Sequence, residues 1–194
     1  MDKIKIYYID INSVKDRLDE IISFVSESRR IKANKYKQED DKYRSLGAGY
    51  LLKKYLPSTS FIYNQNEKPY LKEGPYFNIT HSGKYIFLAV SEVREVGIDI
   101  QEILTKDINA IRYVSSVDTS VNDMFIIWSN KESLIKCMGA NMSIIKEVPG
   151  LPFIGSRFYQ DKGYYTIAKI FKNYSLSVTL KEIEPFDIEI IKVI

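Results

Sequence analysis

Residues 75–102, PYFNITHSGKYIFLAVSEVREVGIDIQE, constrain the fold more than any other stretch of the chain. Three short apolar runs, 76–80, 85–90 and 96–100, are rich in β-branched and aromatic residues. They are separated by His81-Ser82-Gly83 and by the charged run 91–95, the pattern of strands joined by turns. The third run carries Asp99 within Val96-Gly97-Ile98-Asp99-Ile100. Strand alternation puts Ile98 and Ile100 on one face and Asp99 with Gly97 on the other. Two readings of that carboxylate stand open: its face is simply wet, or the missing side chain at Gly97 leaves room beside it for a bulky anion or a metal.

With 194 residues and 45% hydrophobic content the chain makes one generous domain or two small ones around an ordinary globular core. Cys137 is the single cysteine, which excludes an internal disulfide, and one cysteine with one histidine cannot build a structural zinc site. The start, MDKIKIYYID, has no apolar run ahead of a small-residue cleavage site, and no segment approaches the length of a membrane span, so a cytoplasmic protein is expected. A net charge of +3 calls for a local basic patch, not a global field, to hold any anionic partner.

In chain order, 3–9 alternates Lys with Ile and Tyr as an edge or near-edge strand does. Asn12 or Ser13 then caps a helix whose Val14, Leu18, Ile21, Ile22 and Val25 keep the helical period. Residues 29–54 form a long basic helical region broken near Glu39-Asp40-Asp41. Its Lys and Arg run reads as a solvated helix face or as an anion grip. The segment 78–83 reads as a turn that displays hydroxyls, the His81 imidazole and backbone N–H groups together, suited to phosphate oxygens. Between 116 and 139, Met124, Ile127, Trp128, Leu134, Ile135 and Met138 gather into one helical stripe, with Gly139 closing the helix. Lys131 falls inside that stripe, and Glu132 and Lys136 flank it one turn apart. A cleft where all three meet an anion accounts for them better than an ordinary surface ion pair. The last third, 153–158, 164–171, 174–180 and 188–193, is strand-like, and its hairpin YYTIAKIFKNYSLSVT loosely echoes YIFLAVSEVREVGIDI.

Taken in order, Asn78-Ile79-Thr80-His81-Ser82-Gly83, Gly97-Ile98-Asp99-Ile100 and Trp128-Ser129-Asn130-Lys131-Glu132-Ser133-Leu134-Ile135-Lys136 resemble the 4′-phosphopantetheinyl transferases, in particular the larger surfactin-synthetase-activating type. The likeness extends to Tyr43-Arg44-Ser45-Leu46 and Glu67-Lys68-Pro69-Tyr70 and covers most of 29–139. It implies an α+β fold of two pseudo-symmetric α/β halves in one chain, residues 1–101 and 102–194. Each half is a small antiparallel sheet packed with helices, with the active site at their junction. It implies transfer of 4′-phosphopantetheine from coenzyme A to a serine of an acyl or peptidyl carrier protein, in fatty acid, polyketide or nonribosomal peptide synthesis, by a monomer with no nucleic acid or membrane partner.

Carried over by position, Glu132, Lys136 and Asp99 are catalytic, and Asp99 and Glu132, with Gln101, hold Mg²⁺ or Mn²⁺. Arg29, Lys32, Arg44, Ser45, Lys68, Thr80, His81 and Lys131 bind coenzyme A. Gln101 stands where many relatives have a second carboxylate, and a neutral amide is a weaker ligand for a hard cation. The interval from Asp99 to Glu132 is short for this type, which implies a reduced carrier-facing loop. Two other readings follow from the residues: a coenzyme A-binding relative that has lost turnover through Gln101, and a nucleic-acid-binding module built on the basic residues of 29–54.

Overall fold

Strand β5, Tyr85–Ser91, is buried on both faces, and the fold is layered outward from it. The computed structural model describes residues 1–104, 108–115, 119–150 and 154–194. One sheet has the order β10-β1-β5-β4, where β1 is Asp2–Asp10, β4 is Tyr76–Ser82 and β10 is Phe186–Lys192. The other has the order β6-β9-β8-β7, where β6 is Val96–Glu102, β7 is Gly155–Tyr159, β8 is Lys162–Phe171 and β9 is Tyr174–Lys181. A short β2–β3 pair, Ile62–Tyr63 with Pro69–Tyr70, stands apart. The fold is α+β, and every pairing in the two large sheets is antiparallel except β1 with β10.

Alternation along β5 explains the layers. Ile86, Leu88 and Val90 join a core with Ile9, Val14, Leu46 and Leu51, under α1 (Ile11–Asp16), α2 (Leu18–Phe24), α3 (Glu27–Asn34) and α4 (Glu39–Tyr55). Tyr85, Phe87 and Ala89 point the other way, where they meet Ile98 and Ile100 of β6 and Leu176, Val178 and Leu180 of β9. A strand apolar on both faces reads as an unbroken hydrophobic run, as residues 85–90 do. The far face of the second sheet is covered by α6, Val121–Met138, which follows α5, Ile108–Ser115.

Several local expectations are corrected. β1 is a central strand between β10 and β5, not an edge. Its helix is capped by Asp10, whose Oδ1 accepts from Ser13 N, in place of Asn12 or Ser13. β4 continues through Ser82, leaving Gly83 and Lys84 as the turn into β5. Thr80 and His81 are therefore strand residues on opposite faces. β5 and β6 do not form a hairpin like β8 and β9, because they belong to different sheets. The expected start of a strand at 153, and the helical start at 116, lie outside the described residues.

The two sheets also meet along one edge, where β4 lies beside β6. Side chains make that seam: Asn78 Oδ1 accepts from Ile98 N at 2.9 Å and Ser82 Oγ from Glu102 N at 2.9 Å. On the opposite side β6 is pressed against α6. A Cβ built on Gly97 would fall onto backbone atoms of Ser133 and Cys137, neither of which can swing away. Gly97→Ala should therefore cost about 1–3 kcal/mol or more, as overpacking of a dense core does. Urea denaturation of the purified variant measures it, and a loss under 0.5 kcal/mol, about that of an ordinary surface substitution, would mean that α6 is free to shift.

Candidate active site

Small residues bring α6 close to the sheet. Ser129 Oγ lies 2.8 Å from Ser177 Oγ and Ser133 Oγ 2.7 Å from Thr179 Oγ1, while each serine also donates to a carbonyl three residues back in the helix. One residue before each serine runs a second stripe, Trp128, Glu132 and Lys136, at one-turn intervals. This stripe faces the β4–β6 seam. Lys136 Nζ donates to Asp99 Oδ1 and stands 3.3 Å from Glu132 Oε2 and 3.3 Å from Thr80 Oγ1. Thr80 Oγ1 also donates to Asp99 Oδ1 at 3.2 Å, and Gln101 Nε2 to Asp99 Oδ2 at 2.9 Å. Trp128 Nε1 donates to Glu132 Oε1.

Asp99 is only 1% exposed, and its burial pushes the carboxyl up to about 7 against the pull of Lys136. Burial disfavours the Lys136 ammonium too, yet Asp99 and Glu132 outweigh it and raise its pKa. One ammonium thus spans two carboxylates, whose oxygens converge on a single cation-sized position. An all-oxygen donor set at such a point suits a hard divalent ion that keeps several waters. Among the described residues no group of three or more His, Cys, Asp and Glu surrounds one point, so Asp99 and Glu132 are the charged ligands on offer.

A basic pocket adjoins this cluster. Arg29, Lys32, Arg44, Ser45 and His81 line one cavity of about 250 Å³ together with Tyr36 and Asp41. That is below the roughly 300–1,000 Å³ of pockets enclosing a whole drug-sized ligand, so it suits one end of a longer molecule. Arg29 lies across Gly49, where a Cβ would displace it, and burial lowers its pKa. Arg44 is fixed by Gly83 O and Asp41 Oδ1, each at 2.6 Å. Burial, then Arg44, then Lys136 lower the pKa of His81, which keeps the imidazole neutral beside the cations and marks its place between pocket and acid cluster.

Three residues expected to bind coenzyme A, Lys131, Lys68 and Thr80, do not line the basic pocket. Lys131, about 100° round the helix from Glu132, sends Nζ to Val114 O at 3.0 Å, not into the Asp99 cleft. Lys68 Nζ is held by Cys137 O at 3.1 Å and Val96 O at 3.3 Å. Lys68 instead borders a second cavity, of about 370 Å³, with Tyr70, Phe77 and Met138, and no member of the acid cluster lines it. Thr80 joins the carboxylates and not the basic pocket, the consequence of its strand geometry. Sequence reasoning missed Trp128 as the partner of Glu132 and Asn78 and Ser82 as the seam, although i, i+4 spacing and the alternation 78, 80, 82 carried both signals.

No family model matches the chain. Among curated proteins it is 32% identical over 141 residues to the 4′-phosphopantetheinyl transferase gsp of Aneurinibacillus migulanus, covering 63% of this chain and 59% of that protein. It is 27% identical over 165 residues to the 4′-phosphopantetheinyl transferase Sfp of Bacillus subtilis (strain 168), covering 72% of each. The chain is thus similar to 4′-phosphopantetheinyl transferases of the Sfp type over 141 to 165 residues. It spans about three fifths of the gsp transferase. In this chain the three motifs that carry the resemblance come together in space at Thr80, Asp99, Glu132 and Lys136.

The raised Asp99 pKa fixes a sign. The ordinary value is 3.8 and the folded value about 7, so the folded state holds this proton more tightly. That contribution is complete below about pH 4 and is lost as the pH rises through about 7. Asp99→Asn has no such proton to lose. Its stability relative to the native protein should therefore climb between about pH 4 and 8, by up to ~1.4 kcal/mol per pH unit. Urea melts of both proteins across that range measure it, and a difference independent of pH would mean that Asp99 is ionised throughout.

Proposed function

We propose that the protein transfers the 4′-phosphopantetheine group of coenzyme A to the acceptor serine of an acyl or peptidyl carrier protein and releases adenosine 3′,5′-bisphosphate. The observation that carries this reading is the meeting of Asp99, Glu132 and Lys136 at the mouth of a cationic pocket, in a chain similar to these transferases. Arg29, Lys32 and Arg44 with Ser45 and His81 would hold the nucleotide phosphates. They line a concavity, which favours a compact anion over the extended backbone of a nucleic acid.

In the reaction the carrier serine oxygen forms a bond to the β-phosphorus and the bond from that phosphorus to the bridging oxygen breaks. Glu132, held at both oxygens by Trp128 and Lys136, is placed to take the serine proton directly or through a water. Lys136 supplies positive charge, or a proton, to the departing bisphosphate oxygen. Asp99 and Glu132 would hold Mg²⁺, or Mn²⁺, with Gln101 turned to present its carbonyl oxygen. When bound, the ion would neutralise pyrophosphate charge. One chain supplies both walls of the cleft, so the protein is proposed to act as a monomer. A cytoplasmic site is proposed with it, and no helix among the described residues is long and apolar enough to cross a membrane.

Gln101 on Asp99 favours one second reading, in which coenzyme A is bound and turnover is slow. Incubation with coenzyme A, Mg²⁺ and several apo carrier proteins, followed by intact mass, separates the two. The expected result is the phosphopantetheine adduct on at least one carrier, with the rate reduced about 10²–10⁴-fold in Glu132→Ala, the span a positioned general base contributes. Coenzyme A binding without any adduct, with transfer appearing in Gln101→Glu, would select the second reading. Neither binding nor adduct would exclude both.

A further inference from the structure

The C-terminal end of α6 is tied down by one loop. Gly139 adopts the left-handed conformation, φ 64°, and the turn it makes returns Gly139 N to Lys136 O and Ala140 N to Ile135 O. The next carbonyls are met by side chains from residues 64–68. Asn64 Nδ2 and Asn66 Nδ2 both donate to Gly139 O, at 2.9 and 2.8 Å, and Lys68 Nζ donates to Cys137 O at 3.1 Å. The loop is itself rigid, because Asn64 Oδ1 accepts from the backbone N–H groups of Asn66 and Lys68.

Lys68 does more than cap. The same ammonium donates to Val96 O at 3.3 Å, the first residue of β6. Cys137 follows Lys136, and Val96 precedes by three the buried Asp99. One side chain therefore pins together the two elements whose separation sets the Lys136–Asp99 contact, just where Gly97 lets their backbones touch. A cation on the last carbonyls of a helix is also favoured by the helix dipole. Burial lowers the Lys68 pKa, and Cys137 and Glu95 only partly offset it. The ammonium is thus spent on two carbonyls and is not turned toward the basic pocket.

We propose that Lys68 is a positioning residue, which sets the register of α6 on β6 and through it the placement of Glu132 and Lys136 against Asp99. This rests on the transferase reading for its kinetic consequence, but its structural consequence is read independently. Trp128 is the single tryptophan of the chain and donates to Glu132, so its fluorescence reports on that carboxylate in the free protein.

Lys68→Met keeps the stem and removes the donor. The expected result is a kcat lowered about 10–100-fold, since displacements near 1 Å cost about that much, with KM for coenzyme A within about twofold of the native value. The Trp128 emission of the free protein should shift, with thermal unfolding still cooperative. Asn66→Ala, which removes one of two donors on Gly139 O, should move both readouts in the same direction by less, and decides the matter if Lys68→Met does not fold. A tenfold rise in KM or Kd for coenzyme A with kcat unchanged would overturn the proposal and make Lys68 a phosphate ligand. An unshifted Trp128 emission in the variants that fold would also overturn it. Native protein that modifies no carrier would refute the transferase reading, and Trp128 emission alone would then judge Lys68.

Discussion

The closeness of α6 to β6 is the constraint on which the rest of the site depends. A helix on a sheet usually stands off by the length of its side chains, but here Gly97 offers none and the helix presents Ser129, Ser133 and Cys137. Serines do what alanines could not. Each spends its hydroxyl on its own helix and on Ser177 or Thr179, so sliding the helix by one residue would strand buried hydroxyls at about 1–3 kcal/mol apiece. The polar contacts thereby fix a register that apolar packing alone would leave loose. Glu132 and Lys136 inherit their positions from it.

The charges at the site fit that closeness. Asp99 is buried, and one lysine serves both it and Glu132, so the cluster carries more negative than positive charge once both acids ionise. Burial raises the Asp99 pKa, and Lys136 only partly offsets that rise. The neighbouring pocket has the opposite imbalance: Arg29, Lys32 and Arg44 face one acid, Asp41, and His81 is held neutral beside them. On the proposed function, a cation-poor region beside an anion-poor one would complement a pyrophosphate and its metal ion. Such arrangements destabilise a free protein and are tolerated where function needs them.

What was legible in the sequence was local. Strand alternation placed Asp99 and Gly97 together away from Ile98 and Ile100, and Gly139 marked the end of α6. What depended on distant partners was not. β1 looked like an edge because Lys3 and Lys5 alternate with buried Ile4 and Ile6, and in the folded protein that wet face is the part of a central strand that the helices leave uncovered. His-Ser-Gly looked like a turn because glycine follows the polar pair, whereas the ladder with β5 runs on through Ser82 and only Gly83 and Lys84 bend. Lys131 looked out of place inside an apolar stripe, although α6 is buried almost all round and α5 offers Lys131 the Val114 carbonyl. Lys68 carried no local signal of its partners, since both are backbone oxygens far along the chain.

The strand order explains why those distant partners matter so much. β6 leaves β5 to pair with β9, and β10 leaves β9 to pair with β1, so the strand after each hairpin crosses to the other sheet. Asp99 therefore hangs from the second sheet while Thr80, which donates to it, hangs from the first. Residues 1–101 alone would lack the partner of β6, and residues 102–194 alone would lack the partner of β10. Pairing the first strand with the last closes a loop of nearly the whole chain, a contact that topology makes slow to form. Thr80 reaches Asp99 only across the seam between the two sheets, so the acid cluster needs β6 to have crossed from the β5 sheet to pair with β9.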